Sequence, residues 1–133
     1  MIVGAVLARN EAAEDRYLRR VLANVAAFCD HVVLLDDGST DDTAAVAAAA
    51  GAEVIALDEG SGRGWWGGAA TTSGESSARS ALWRLAADRA GADGWIFIAD
   101  ADHELIGLTP GELRSLTTST VVNAWAFPLY DCW

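Results

Sequence analysis

Lysine is absent from this sequence, and all nine basic residues are arginine. The chain therefore cannot carry out chemistry that needs a side-chain amine. Cysteine is scarce as well. Cys29 and Cys132 form neither a metal-type spacing nor a disulfide framework, so we expect two reduced thiols.

Long apolar runs are also missing from the sequence. No stretch approaches the roughly 20 residues that are needed to cross a membrane. The opening segment has no basic start, and charge already arrives at Arg9, so a signal peptide is not indicated. We therefore expect a soluble, cytoplasmic protein without a membrane span.

The charge balance is strongly acidic. Nineteen acidic residues face nine basic ones, which gives a formal net charge of −10. Such a chain lacks the cationic surface of a nucleic-acid-binding protein. Its 133 residues fit one domain, and a hydrophobic content of 52% is enough for a packed core.

Apolar strands alternate with amphipathic helices along the chain. Strands are predicted at 1–8, 31–36, 53–57, 94–100 and 121–130. Helices are predicted at 11–29, 42–51 and 75–91, with a short one that starts in a capping box at Thr109. This alternation is typical of a Rossmann-like α/β fold, with a mostly parallel sheet and helices on both faces.

Two of these helices have distinctive sequence signals. The first has apolar residues at helical spacing, which predicts an inward face: Tyr17, Leu18, Val21, Leu22, Val25 and Phe28. For the second helix, Ser39 or Thr40 is the predicted cap. Asp41 and Asp42 are placed in its first turn, and Gly51 at its end.

Polar side chains follow the apolar strands at their ends. The stretch "VVLLDDGSTDD" occupies 32–42, and "WIFIADADHE" occupies 95–104. Parallel strands end at a common edge where ligands bind. We therefore expect a shared site that contains these residues: Asn10, Asp36, Asp37, Asp100 and Asp102.

A divalent cation would relieve the repulsion between these carboxylates. Mg²⁺ or Mn²⁺ prefers oxygen ligands, usually one or two carboxylates together with substrate phosphates. The spacing of Asp100 and Asp102 suits one ribose contact and one metal ligand. The alternative is structural, because aspartate is also common in turns and at helix starts. That alternative is favoured for Asp41 and Asp42.

The order of four motifs carries more information than any one of them. The stretches "VLARNEA", "VVLLDDGSTDDT", "SSAR" and "IFIADADHE" appear in this order. Three of them follow successive strands, and "SSAR" lies within one helix. Together they resemble family 2 glycosyltransferases with the GT-A fold. The resemblance covers about the first hundred residues.

The resemblance implies a nucleotide site at the exits of the first two strands. Ala8, Asn10 and Glu11 match the exit of the first strand, which contacts the base and the ribose in that family. Asp36 and Asp37 match a pair of which one carboxylate binds the base, usually uracil or guanine.

The diphosphate and the metal are implied further along the chain. Arg79 matches an arginine near the nucleotide diphosphate. Asp100 and Asp102 match an Asp-x-Asp motif, with the first residue toward the ribose and the second on Mg²⁺ or Mn²⁺. His103 follows directly and is a second candidate ligand, although an ordinary surface histidine is an equal alternative.

The implied activity is transfer of a sugar, with inversion, from a nucleotide-diphosphate donor to an unidentified acceptor hydroxyl. In that family the catalytic base and the acceptor wall come from a later half. We therefore expect residues 1–133 to form a single, truncated nucleotide-sugar-binding domain that lacks most of the acceptor-binding half. The base stays unassigned, with Glu104, Glu112 and Asp131 as the available carboxylates. An exposed apolar face at Trp125, Phe127 and Trp133 would favour self-association.

Other functions stay open. The rival of a different class is a non-catalytic nucleotide-sugar-binding remnant. A haloacid-dehalogenase-type phosphatase also uses Asp-x-Asp after a strand, but both it and a receiver domain need a lysine. The glycine-rich segment 60–74 with two tryptophans is either a donor lid, a sugar-stacking surface or an atypical insertion.

Overall fold

The structure, a computed structural model, is described for residues 1–13, 16–57 and 74–128. Strands and helices alternate in it as the sequence predicts. The strands are β1 (Ile2–Ala8), β2 (His31–Asp36), β3 (Glu53–Ala56) and β4 (Trp95–Asp100). The helices are α1 (Leu18–Phe28), α2 (Thr43–Ala49), α3 (Gly74–Ala90) and α4 (Pro110–Leu116).

The four strands form one parallel sheet in the order β3-β2-β1-β4. In this register Ala8 pairs with Asp36, and Leu7 pairs with Asp100. The carboxyl ends of β2, β1 and β4 therefore lie side by side at one edge. This edge is the region in which the site was expected.

Helices cover both faces of the sheet, which confirms the predicted α/β fold. On one face α1, α2 and α4 pack against alternate residues of β1, among them Ile2 and Val6. On the other face α3 packs Ala78, Leu82 and Ala86 against residues that include Val3. Since β1 is buried on both faces, its sequence is a continuous apolar run rather than an alternating one.

A glycine in β1 sets the distance between the sheet and α1. A Cβ atom built on Gly4 would lie 2.3 Å from Val25 Cγ1 and 3.1 Å from Cys29 Sγ. Both neighbours are buried, so the helix packs directly on the strand backbone. Cys29 is a free thiol, as expected, and burial raises its pKa to about 12. Cys132 lies outside the described residues.

The first helix begins later than predicted. It starts at Leu18 rather than at residue 11, and Tyr17 is 45% exposed rather than turned inward. The other predicted core residues of this helix are buried. Before it, the backbone N–H groups of residues 10–12 donate to Ser39, Thr43 and Asp41, so tertiary contacts set the path of this segment.

The predicted cap of α2 is also wrong. Its N-cap is Asp42, which makes no side-chain cap hydrogen bond, and the first turn contains no acidic residue. Ser39 and Thr40 bond to Asn10 instead. Tertiary contacts thus take the groups that the local sequence pattern assigns to the helix.

The segment after α4 differs from the expected last strand. The capping box of Thr109 and Glu112 is present as predicted. Residues 121–128, however, form no strand. Trp125 donates its indole N–H to the Leu116 carbonyl at 3.2 Å, and it stays 45% exposed, with Phe127 at 38%. Trp133 lies outside the described residues. Within the described ranges, no helix has the length and apolar character to cross a membrane.

Ion pairs fasten the opposite, amino edge of the sheet. Glu53 accepts hydrogen bonds from Arg89 and His31, and these bonds hold the pKa of its carboxyl at about 2. Asp30 accepts from Arg114 and from the Ile2 N–H, and its pKa also falls to about 2.

We predict that Gly4→Ala lowers the free energy of unfolding by about 1–3 kcal/mol, because the added methyl group overlaps Val25. Adding Val25→Ala should make the cost of Gly4→Ala smaller, with a coupling of about 0.5–3 kcal/mol. Urea titrations of the wild type, the two single variants and the double variant measure the loss of stability and the coupling. Gly111→Ala is the matched control, because a Cβ there meets no atom closer than 4.0 Å. Strict additivity would contradict the proposed overlap.

Acid unfolding should depend on Glu53. A carboxyl whose pKa is lowered from 4.5 to about 2 on folding stabilises the protein above its unfolded pKa. That contribution is lost as the pH falls from about 4.5 to about 2. Glu53→Gln should therefore be less stable at pH 7 and lose less stability across this window. Asp93→Asn, which removes an exposed carboxylate without a hydrogen bond, is the control. Equal pH dependence of Glu53→Gln and the wild type would refute the assignment.

Candidate functional site

The carboxyl edge of the sheet brings the predicted aspartates to neighbouring strand ends. Asp36 ends β2 and Asp100 ends β4, with β1 between them. Two strand spacings separate their backbones, about 10 Å. Asp36 and Asp37 are 5% and 6% exposed, so both carboxylates are buried at this edge.

Asp36 holds the loop that follows β2. Its Oδ1 accepts from the Ser39 hydroxyl and from the Ser39 N–H, the latter at 3.2 Å. Because the side chain bonds to its own loop, Asp36 fixes the turn through Gly38, whose φ of 72° is in the left-handed region. The carboxylate is therefore already used in shaping the edge.

Asp37 faces the exit of the first strand. Its N–H donates to the Ala8 carbonyl at 3.0 Å, and its Oδ2 lies 3.8 Å from Arg9 Nη1. That nitrogen is buried without a hydrogen-bond partner. The sequence analysis missed Arg9 as a site residue. The available signal was a lone cation placed directly after β1, at the edge where the carboxylates gather.

Asp100 and Arg79 form a bidentate ion pair. Nη1 of Arg79 donates to Oδ1 at 2.9 Å, and Nη2 donates to Oδ2 at 3.2 Å. The Arg79 side chain is 39% exposed, and the Asp100 side chain is 34% exposed. Helix α3 thus places a cation at the end of β4. The resemblance implied the ribose for Asp100 and the diphosphate for Arg79, and in the structure the two side chains bond to each other.

Asp102 and His103 follow in the turn after β4. The Asp102 side chain is 66% exposed, and its Oδ1 lies 3.7 Å from His103 Nε2. His103 Nδ1 accepts from the Asp100 N–H at 3.3 Å, which leaves Nε2 turned toward Asp102. This hydrogen bond to Nδ1 orients the ring.

These donors suit a metal ion that a ligand helps to hold. In the described part of the chain, no group of three or more His, Cys, Asp or Glu side chains could hold a metal on its own. Asp102 offers an exposed carboxylate. His103 Nε2 becomes a donor only when the ring takes the tautomer that is protonated at Nδ1, which gives up the bond from the Asp100 N–H. Mg²⁺ and Mn²⁺ sites with one or two carboxylates are usually completed by phosphate oxygens and water. The donor set therefore fits a divalent metal that binds together with a phosphorylated ligand.

Glu11 lies near enough to Asp102 and Asp41 for their charges to act on its carboxyl. Burial raises the pKa of its carboxyl, Arg16 at 3.9 Å opposes that change, and the negative charges of Asp102 and Asp41 add to it. Asp102 and Glu11 are thus close enough to affect each other. The result is a concentration of negative charge around the turn after β4.

The exit of the first strand is bonded to the β2–α2 loop. The Asn10 N–H donates to Ser39 Oγ at 2.9 Å, and Asn10 Oδ1 accepts from the Thr40 N–H at 2.8 Å. Asn10 itself has a φ of 55°. Ala8, Asn10 and Glu11 therefore lie beside the end of β2 and the start of α2.

The carboxylates considered as a base are differently placed. Glu104 pairs with Arg20 at 2.8 Å. Glu112 accepts from the N–H and the hydroxyl of Thr109, and these bonds lower the pKa of its carboxyl. Asp131 lies outside the described residues, as does most of the segment 60–74. The base stays unassigned.

Comparison with known proteins places these features in a family. The model described as glycosyl transferase family 2 matches residues 5–108. No curated protein matches the chain.

Two solved structures of one enzyme are similar to the chain. Glucosyl-3-phosphoglycerate synthase from Mycobacterium tuberculosis in complex with UDP is 27% identical, with a TM-score of 0.53, over 90% of this chain and 41% of that one. Its complex with Mn²⁺, UDP and glucosyl-3-phosphoglycerate is 28% identical, with a TM-score of 0.51, over 83% of this chain and 36% of that one.

The chain spans less than half of each of these neighbours. The family match, in contrast, spans most of the chain. It begins within β1 and includes β2, β3, β4 and the carboxyl edge of the sheet. Its bounds contain all four motifs of the sequence analysis. The chain therefore belongs to glycosyltransferase family 2.

Proposed function

We propose that the chain binds a nucleotide-diphosphate sugar together with Mg²⁺ or Mn²⁺, and serves in the inverting transfer of that sugar to an acceptor hydroxyl. The observation that carries this proposal is the register of the sheet. It sets Ala8 beside Asp36, and Leu7 beside Asp100. The same edge of the sheet therefore carries the buried carboxylate of Asp36 at β2 and the Asp100–Arg79 ion pair at β4.

The nucleoside lies at the end formed by β1 and β2. We assign base binding to Asp37, whose Oδ2 lies 3.8 Å from the buried Arg9 Nη1 at the exit of β1. An aspartate accepts a hydrogen bond from the N–H of uracil or guanine. Arg9 Nη1, a buried donor 3.8 Å from Asp37, lies where it can contact a neighbouring carbonyl of the same base.

The ribose and the diphosphate lie toward β4. Asp100 accepts from a ribose hydroxyl while its ion pair with Arg79 keeps the carboxylate oriented. The guanidinium of Arg79 lies at the diphosphate side and offers it positive charge. Asp102 and His103 would hold the metal, which supplies Lewis-acid stabilisation of the charge that develops on the leaving diphosphate.

The solved neighbours support this choice of ligand. Their structures contain UDP, and one of them also contains Mn²⁺. Uridine diphosphate is therefore the first nucleotide to test. The acceptor and the sugar are not specified by the described residues.

Nucleotide binding should depend on the metal through Asp102. In calorimetry with UDP, Mn²⁺ should strengthen binding to the wild type. Asp102→Asn should lose at least about tenfold in affinity, since changes to the outer shell of a metal site already cost about 10- to 100-fold. Thermal unfolding should stay unchanged, because the side chain is 66% exposed. Asp93→Asn carries the same charge change on an exposed turn and is the control. Wild-type binding of equal strength in the presence of a chelator would overturn the metal assignment.

Asp36 and Asp37 should differ when each is changed to alanine. Asp36→Ala removes the acceptor of the Ser39 bonds and should cost about 1–3 kcal/mol of stability. Asp37→Ala should mainly reduce the preference for UDP over CDP. Cytosine lacks the ring N–H that donates a hydrogen bond to the carboxylate. Thermal unfolding and competitive titration of both nucleotides measure the two effects. Identical behaviour of the two variants would contradict the division of roles.

A further inference from the structure

A network of hydrogen bonds joins the exit of β1 to the start of α2. We call it the exit clip, and it consists of residues 10–12 on one side and residues 39–43 on the other. The clip includes the three bonds between Asn10 and the loop residues Ser39 and Thr40. Two further side chains, Thr43 and Asp41, complete it.

Thr43 is the buried centre of the exit clip. Its side chain is completely inaccessible to solvent. Its hydroxyl oxygen accepts from the Glu11 N–H at 2.7 Å and donates to Asp41 Oδ1 at 2.5 Å. One hydroxyl therefore links the strand exit, the loop and the first residue of α2.

Asp41 bonds in two directions. Oδ1 accepts from the N–H and the hydroxyl of Thr43, and Oδ2 accepts from the Ala12 N–H at 3.0 Å. Burial raises the pKa of this carboxyl, but these bonds outweigh burial and the pKa is lowered. The neighbouring Asp42 is exposed and makes no side-chain cap bond.

The exit clip fixes a backbone path that the sequence alone does not favour. Asn10 has a φ of 55°, in the left-handed region, which asparagine tolerates better than other non-glycine residues but still adopts at a cost. The three consecutive N–H groups of residues 10–12 donate to Ser39 and Asp41 of the loop and to Thr43, the first residue of α2. Surrounding contacts of this kind are what maintain a strained conformation, and such conformations cluster at binding sites.

We propose that Thr43 and Asp41 are positioning residues for the nucleotide: through the exit clip they hold residues 10–11 in the conformation that receives the nucleoside. This inference rests on the proposed function, in which the exit of β1 lines the nucleotide site. Because the clip already orders this segment, nucleotide binding does not include the free-energy cost of ordering it. Asp41 thus acts through backbone N–H groups rather than through the helix dipole.

Two substitutions at Thr43 separate positioning from packing. Thr43→Val keeps the shape of the side chain and removes the hydroxyl, whereas Thr43→Ser keeps the hydroxyl and removes the buried methyl group. In calorimetry with UDP and Mn²⁺, at a temperature where every protein is folded, Thr43→Val should bind about tenfold more weakly. Thr43→Ser should bind within about twofold of the wild type, even though its melting temperature falls.

The acidic pair gives a matched comparison. Asp41→Asn turns an amide toward the Ala12 N–H, so one clip bond is lost, and UDP affinity should fall as in Thr43→Val. Asp42→Asn makes the same change of charge one residue away and should bind UDP as the wild type does. Equal losses in both variants would show a general charge effect and would overturn the role of Asp41.

Amide hydrogen exchange in the nucleotide-free protein tests the exit clip independently of the proposed function. The Glu11 and Ala12 N–H groups should exchange faster in Thr43→Val than in Thr43→Ser, while the amides of β1 stay protected. Unchanged exchange, or UDP affinity equal to wild type in Thr43→Val, overturns the inference. Failure of the wild type to bind any nucleoside diphosphate overturns the proposed function instead, and faster exchange would then still show the clip.

Discussion

The carboxyl edge of a parallel sheet concentrates charge, and the rest of the structure depends on how that charge is balanced. The N–H and hydroxyl of Ser39 donate to Asp36. The N–H and hydroxyl of Thr43 and the N–H of Ala12 donate to Asp41. Arginines lie against Asp37 and Asp100. Since repulsion grows as charges leave water, each buried or half-buried carboxylate needs such a partner. Asp102 stays exposed at this edge, and it is the carboxylate to which the metal is assigned.

The sequence predicted the architecture well because burial determines it. Each of the first four strands is a short apolar run between turn residues, and their bounds follow the predicted ones closely. The order of strands and helices then makes a parallel sheet the expected arrangement, which places Asp36 and Asp100 at one edge. Family membership followed from the same residues, because the motifs are attached to those strand ends.

The errors lie where tertiary hydrogen bonds replace local preferences. Helical periodicity extended the first helix back to residue 11, and the run "GSTDDT" suggested a capped second helix. In both places the polar groups bond across the sheet edge rather than along the chain, as Thr43 does with Glu11. No pattern within one segment shows a bond to a residue some thirty positions away. Departures from local rules of this kind are expected where a chain builds a functional site.

The absence of lysine agrees with the way the described ion pairs are made. Arg79, Arg89 and Arg114 each engage one carboxylate through two nitrogens. An ammonium group is a single point charge, whereas a planar guanidinium matches both oxygens of a carboxylate and fixes its orientation. At the amino edge this rigidity joins α3 and α4 to the strands. At the carboxyl edge the same geometry orients Asp100, so that one kind of contact both stabilises the fold and prepares the ligand site.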